Sequence, residues 1–116
     1  MKHKFGAIRC EHDGIKFPSR LERSIYVYLK EQKELGNIVM FLRQINFDLP
    51  GPSKHSVDFL VFTKDNAFFL EAKGKDLPMG KLKRKQVEDL YCLYIHVATK
   101  VSDVAKVLKE YLLAEK

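Results

Sequence analysis

Val57-Asp58-Phe59-Leu60-Val61-Phe62-Thr63-Lys64-Asp65-Asn66-Ala67-Phe68-Phe69-Leu70-Glu71-Ala72-Lys73 holds the two runs whose reading decides the fold. Each run is short, apolar and rich in β-branched and aromatic residues, and Lys64-Asp65-Asn66 between them is a turn signal. The pair therefore reads as a hairpin, with strands over Ser56 to Thr63 and Ala67 to Lys73. Both strands are apolar on both faces, which marks the interior of a covered sheet. Asp58, Glu71 and Lys73 thus enter a region where an unpaired ion costs several kcal/mol or more. If Asp65-Asn66 forms a two-residue turn, or Lys64 to Ala67 a four-residue one, Asp58 lies opposite Lys73 and Leu60 opposite Glu71. Asp58, Glu71 and Lys73 then share a face, with the two carboxylates as diagonal neighbours roughly 7 Å apart at Cβ. A three-residue loop would break that parity.

The elements around the hairpin follow from periodicity and caps. Ala7 to Cys10 and Ile15 to Phe17 read as short strands around Asp13-Gly14. Pro18-Ser19 opens a helix in which Leu21, Ile25, Tyr28 and Leu29 recur at helical spacing, and Gly36 stands at its C-terminal end. Tyr26 and Tyr28 sit two apart on that helix, so at most one of them can be core. Ile38 to Leu49 is one long strand, or two broken near Arg43. A second helix begins about Met79 or Lys81 and runs to Tyr91. Leu93 to Ala98 is a buried strand, and Ser102 caps a last amphipathic helix through Leu112. The order is helix, three-stranded antiparallel meander, helix, strand, helix: a single α/β domain over residues 1–116, with a central mixed sheet flanked by helices.

Composition narrows the function classes. The chain has 116 residues and a formal net charge of +6. From Lys73 to Lys85 six basic residues (Lys73, Lys75, Lys81, Lys83, Arg84, Lys85) stand against one acid, Asp76. Such a run suits a polyanionic partner, nucleic acid before an acidic membrane, although a solvated lysine-rich surface is the plainer reading. The two cysteines, Cys10 and Cys92, are too far apart for a C-x-x-C zinc site. No apolar run is long enough to span a bilayer, and the basic N-terminus lacks the apolar core of a signal peptide, so a cytoplasmic protein is expected.

The hairpin charges admit two readings. In one, Asp58 and Lys73 form a buried ion pair and Glu71 points to solvent. In the other, the surplus carboxylate calls for a hard cation, and two carboxylates with waters suit magnesium. A third acid, Glu22, falls in Ser19-Arg20-Leu21-Glu22. That pattern fits a capping box, but it also places Glu22 beside the apolar stripe that packs on the sheet. His55, alone in a loop with no second ligand nearby, reads as incidental.

An acid on the first helix, Asp58 on one strand and Glu71-Ala72-Lys73 on its hairpin partner resemble the PD-(D/E)XK nuclease superfamily. The similarity covers Ser19 to Ala98. Ser-Arg-Leu-Glu at the helix start, Arg43-Gln44 and Lys83-Arg84-Lys85 look most like small phage-type members, such as Holliday-junction resolvases. The proline that leads the superfamily's acidic strand is here Val57. The resemblance implies a restriction-endonuclease-like core and a magnesium-dependent DNA endonuclease, with manganese able to substitute and no small-molecule cofactor. It implies Glu22, Asp58, Glu71 and Lys73 as catalytic residues. Asp58, Glu71 and the Ala72 carbonyl would be metal ligands, with Glu22 behind them or completing a second site. Gln44, Lys75, Lys81, Lys83 and Lys85 would contact DNA. Branched or structured DNA is the expected substrate; a sequence-specific or partner-directed endonuclease subunit and a non-catalytic DNA-binding module are the alternatives. A homodimer is expected, because one site cuts one strand and a clean break needs two.

Overall fold

The computed structural model describes residues 10–115. Two short strands, β1 (Cys10–His12) and β2 (Ile15–Phe17), form an antiparallel ribbon about Asp13-Gly14, and the expected strand residues Ala7 to Arg9 lie outside the described part. Helix α1 (Arg20–Glu34) follows, then β3 (Met40–Asp48), β4 (Lys54–Phe62), β5 (Ala67–Ala72), α2 (Pro78–Tyr91), β6 (Ile95–Ala98) and α3 (Val101–Ala114). The main sheet has the order β3-β4-β5-β6, antiparallel except for the β5–β6 pair. This is the α/β domain with a mixed sheet that the patterns predict.

Local chemistry explains the element ends. The Ser19 hydroxyl accepts from the Glu22 N–H at 3.1 Å, and Gly36, at φ 80°, turns the chain out of α1. Pro78 occupies the first turn of α2, one residue before the earlier of the two expected starts, where its missing N–H costs nothing. Ser102 does not cap α3: the helix starts at Val101, and Asp103 reaches back to the Thr99 N–H at 2.8 Å instead.

Helices α1 and α3 cover one face of the sheet, burying Ile25, Leu29, Val104 and Leu108 against Phe59, Val61, Phe68 and Leu70. Each such side chain contributes about 1.5–3 kcal/mol by leaving water. Tyr26 is buried in this cluster while Tyr28 only packs partly against it, so one of the two tyrosines is core, as their spacing requires. Helix α2 covers the other face through Val87, against Val57, Phe69 and Ile95.

The sheet has a fault. In β5 the two layers take opposite parities, Phe68 and Leu70 toward α1 and α3, Phe69 toward α2. In β3 and β4 a single parity serves both: Phe41 and Phe59 pack under α1, yet Phe47 and Val57 pack with α2. Alternation along a strand cannot do this unless the strand pair turns over between them. The turnover falls at Gln44 and Asp58, where the β3–β4 ladder skips a pair and Gln44 adopts φ 53°. A left-handed non-glycine residue inside a strand is strained by about 1–3 kcal/mol, a cost often found at functional sites.

The hairpin register differs from the expected one by two residues. Phe59 pairs with Leu70 and Leu60 with Phe69, so the loop is Thr63 to Asn66 and the position opposite Asp58 is Glu71, not Lys73. Parity is kept. The ladder ends at Phe59–Leu70, and beyond it the Asp58 carboxylate, not the β4 backbone, accepts the Ala72 N–H at 2.8 Å.

A candidate acidic site at the fault in the sheet

The fault collects the charged residues. Glu22, on the sheet-facing side of α1, is only 3% exposed. Its backbone caps the helix with Ser19, but its carboxylate accepts from Arg43 Nη2 at 3.0 Å and Gln44 Nε2 at 3.1 Å. The capping box is thus half made, with the carboxylate turned to the sheet. Gln44 also reaches Asp58 Oδ1 at 3.4 Å, while Ser56 donates to its Oε1 at 2.8 Å. One amide therefore joins Glu22 to Asp58, and the fixed hydroxyl of Ser56 orients it. Gln44, expected as a DNA contact or an edge amide, serves here as a bridge between acids.

Asp58 has no ion pair among the described residues. Burial first, then the Glu22 carboxylate, push its carboxyl up from 3.8 to about 7, against the opposing pull of the Ala72 N–H and Lys73. The buried pair of Asp58 with Lys73, one of the two readings of the hairpin charges, does not form; the Lys73 ammonium stands 4.0 Å from Glu71 Oε2. Nor does Glu71 point to solvent, being fully buried.

Glu71 has its own partners. Its Oε1 lies against His55 Nε2, and its Oε2 has Arg84 Nη1 at 3.5 Å. Arg84 in turn grips Asp76 with both terminal nitrogens, at 3.0 and 2.7 Å. That grip holds the Asp76 carboxyl below its usual range and raises the guanidinium. His55 is no loop residue: it is buried in β4 and alternates with Val57, Phe59 and Val61. That period of two was the available signal for it. Arg84 carried no comparable signal, because its partners lie on other elements.

The basic residues divide. Lys75, Lys81 and Lys85 are exposed and Lys83 half-buried, on the segment after β5 and on α2. Lys85 pairs with Asp89 at 3.2 Å across one helical turn, a contact worth a few tenths of a kcal/mol at an exposed site.

The donor set suits a hard divalent ion: three carboxylates at or beside the fault, one of them without a cation and held partly protonated by its surroundings. Among the described residues no three His, Cys, Asp or Glu side chains already stand as an ion cage. Magnesium does not require one, since it keeps several waters and takes one or two protein carboxylates. No described helix is long and apolar enough to cross a membrane.

The architecture is thus a small α/β domain with acids, Glu22 and Glu71 buried and Asp58 half-buried, placed about a strained point in the β3–β4 pair. Residues 2–110 match the family described as a protein of unknown function, DUF1064, and the chain belongs to that family. No curated protein and no solved structure matches it.

Proposed function

We propose that the chain is a magnesium-dependent DNA endonuclease, acting on branched or structured DNA. The observation that carries this reading is the placement of three acids at the fault: Gln44 joins Glu22 to Asp58, and Glu71 stands opposite Asp58 in the hairpin register where the β4–β5 ladder ends. Burying Glu22 and Glu71, with the half-buried Asp58 as a third acid beside them, has a folding cost that a purely structural site would avoid. The set matches what the resemblance to the PD-(D/E)XK superfamily implies, with Lys73 beside it and a lysine-bearing helix next in the chain.

Asp58 and Glu71 would hold the ion together with the Ala72 carbonyl, and Glu22 would stand behind Asp58 through Gln44. When bound, magnesium would polarise the scissile phosphate and acidify a water attached to it. Gln44 and Ser56 hold the Glu22–Asp58 pair in place before substrate arrives, and His55 fixes Glu71 in the same way. Lys73, whose side chain is 30% exposed, can donate to a phosphate oxygen or hold the attacking water. Lys75, Lys81, Lys83 and Lys85 would contact backbone phosphates, which positions DNA without reading its sequence. The partner across a two-fold DNA substrate would be a second copy of the chain. Sedimentation equilibrium with and without four-way DNA should then give a dimer in at least one condition; one chain mass in both, with both strands still cut, would remove the dimer.

The reading is tested with end-labelled linear, single-stranded, flap and four-way DNA in magnesium. Cleavage should require the metal and should be abolished by Asp58→Ala and by Glu71→Ala, with DNA binding retained. Near wild-type cutting by either variant would overturn the assignment.

A further inference from the structure

The run from Lys73 to Lys85 carries one acid, Asp76, and the proposed chemistry leaves that acid without a task. In the structure Asp76 is the fork-to-fork partner of Arg84, accepting from Nη1 at 3.0 Å and from Nη2 at 2.7 Å. The same Nη1 leans toward Glu71 Oε2 at 3.5 Å. One guanidinium, itself 12% exposed, thus stands between two carboxylates and sits on the more exposed of them.

Coulomb attraction alone would place it otherwise. Glu71 is fully buried, where the low dielectric strengthens a charge pair, while the Asp76 side chain is 23% exposed. What Asp76 adds is geometry: two parallel N–H···O contacts, against one long contact to Glu71. Around Glu71 the two oxygens differ accordingly. Oε1 lies against His55, whereas the cationic partners of Oε2 among the described residues stand at 3.5 Å (Arg84) and 4.0 Å (Lys73). Both are longer than the roughly 2.8 Å of a charge-assisted hydrogen bond, so Oε2 keeps spare lone-pair capacity.

We infer that Asp76 is a positioning residue for the ion site: by occupying Arg84 it keeps Glu71 Oε2 open to a divalent cation. The inference rests on the proposal that Glu71 is a metal ligand. Without the Asp76 carboxylate, Arg84 has two freed N–H groups and a fully buried acid within reach. It closes on Glu71, and a cation must then displace a buried ion pair in order to bind. Arg84 closed on Glu71 would compete with the cation, and the loss is expected to be of the order found when the surroundings of a metal ligand are altered, about 10- to 100-fold in affinity.

The experiment measures manganese binding to the full chain in the absence of DNA, from the paramagnetic resonance signal of the free ion. Wild type, Asp76→Asn, Arg84→Gln and the double variant are compared, with circular dichroism to establish that each is folded. Asp76→Asn should bind about 10- to 100-fold more weakly. Arg84→Gln, which lacks the competing charge, should bind at least as tightly as wild type. The double variant should match Arg84→Gln, so that removing Arg84 rescues the loss of Asp76. A merely structural role for Asp76 would give no such rescue, and a double variant as weak as Asp76→Asn overturns the inference. Weaker binding by Arg84→Gln alone overturns it too, and that arm stands even if Asp76→Asn does not fold. Failure of the wild type to bind manganese would overturn the metal-site reading itself, and this inference with it.

Discussion

Asp58→Asn removes one charge with almost no change in shape, and the fault in the sheet gives that charge a definite energetic sign. The carboxyl titrates at about 7 in the folded protein and at 3.8 when unperturbed. Between those values the folded state holds a proton that the unfolded state has released, so stability falls as pH rises through this window. A rise from 3.8 to about 7, at roughly 1.4 kcal/mol per pH unit, makes the charged side chain unfavourable by up to about 4 kcal/mol above neutral pH. The Ala72 N–H keeps an acceptor in the variant, since an amide oxygen can replace Oδ2, but the Gln44 contact to Oδ1 is lost, because an NH2 group there faces a donor. Taking off about 1 kcal/mol for that hydrogen bond, and some solvent screening, leaves about 2–3 kcal/mol. Urea denaturation in a chelator is the assay. Asp58→Asn should match wild type within about 1 kcal/mol near pH 5 and exceed it by about 2–3 kcal/mol near pH 9. Magnesium should then restore wild type at the higher pH, by mass action on the folded state, and leave the variant unmoved. Parallel pH profiles for the two proteins, in chelator, would refute the reasoning.

Other outcomes follow from the same geometry. His55→Ala leaves the buried Glu71 without the hydrogen-bond partner on Oε1 and should cost about 1–3 kcal/mol, the usual penalty for leaving a buried polar group unsatisfied; a loss under about 1 kcal/mol in urea denaturation would mean that Glu71 is satisfied by Arg84 and Lys73 alone. Replacing Lys83 and Lys85 by alanine should weaken DNA binding and flatten its log–log dependence on salt by up to ~0.9 per lost phosphate contact. An unchanged slope would place the DNA elsewhere.

Much of the fold was legible because local patterns carried it. The Ser19 cap, the helical spacing of Leu21, Ile25 and Leu29, and the Gly36 exit define α1 without reference to any other element. Asp13-Gly14 defines the first ribbon in the same way. The hairpin register was not legible. Its loop starts at Thr63, whose N–H bonds to the Asn66 carbonyl, and Glu115 at the far end of α3 accepts from Thr63 Oγ1, the Asp65 N–H and Asn66 Nδ2. A carboxylate 52 residues after Thr63 thus supports the turn, and no inspection of Lys64-Asp65-Asn66 could reveal it.

The same division holds for the site. Asp58, Glu71 and Lys73 stood out by themselves, because charges inside apolar patterns are conspicuous, while Glu22 read equally as a helix cap and joined them through the resemblance. Their partners did not stand out. Gln44 joins Glu22 to Asp58 only because β3 turns over at φ 53°, a strain imposed by packing one strand pair against helices on both faces. His55 reaches Glu71 across the hairpin, and Arg84 reaches both Glu71 and Asp76 from α2. Sequence by itself determined which residues are charged where water is excluded, since that depends on short-range periodicity. Only the tertiary structure decided which charge answers which, since a buried ion takes its partner from whatever element the packing brings within about 3 Å.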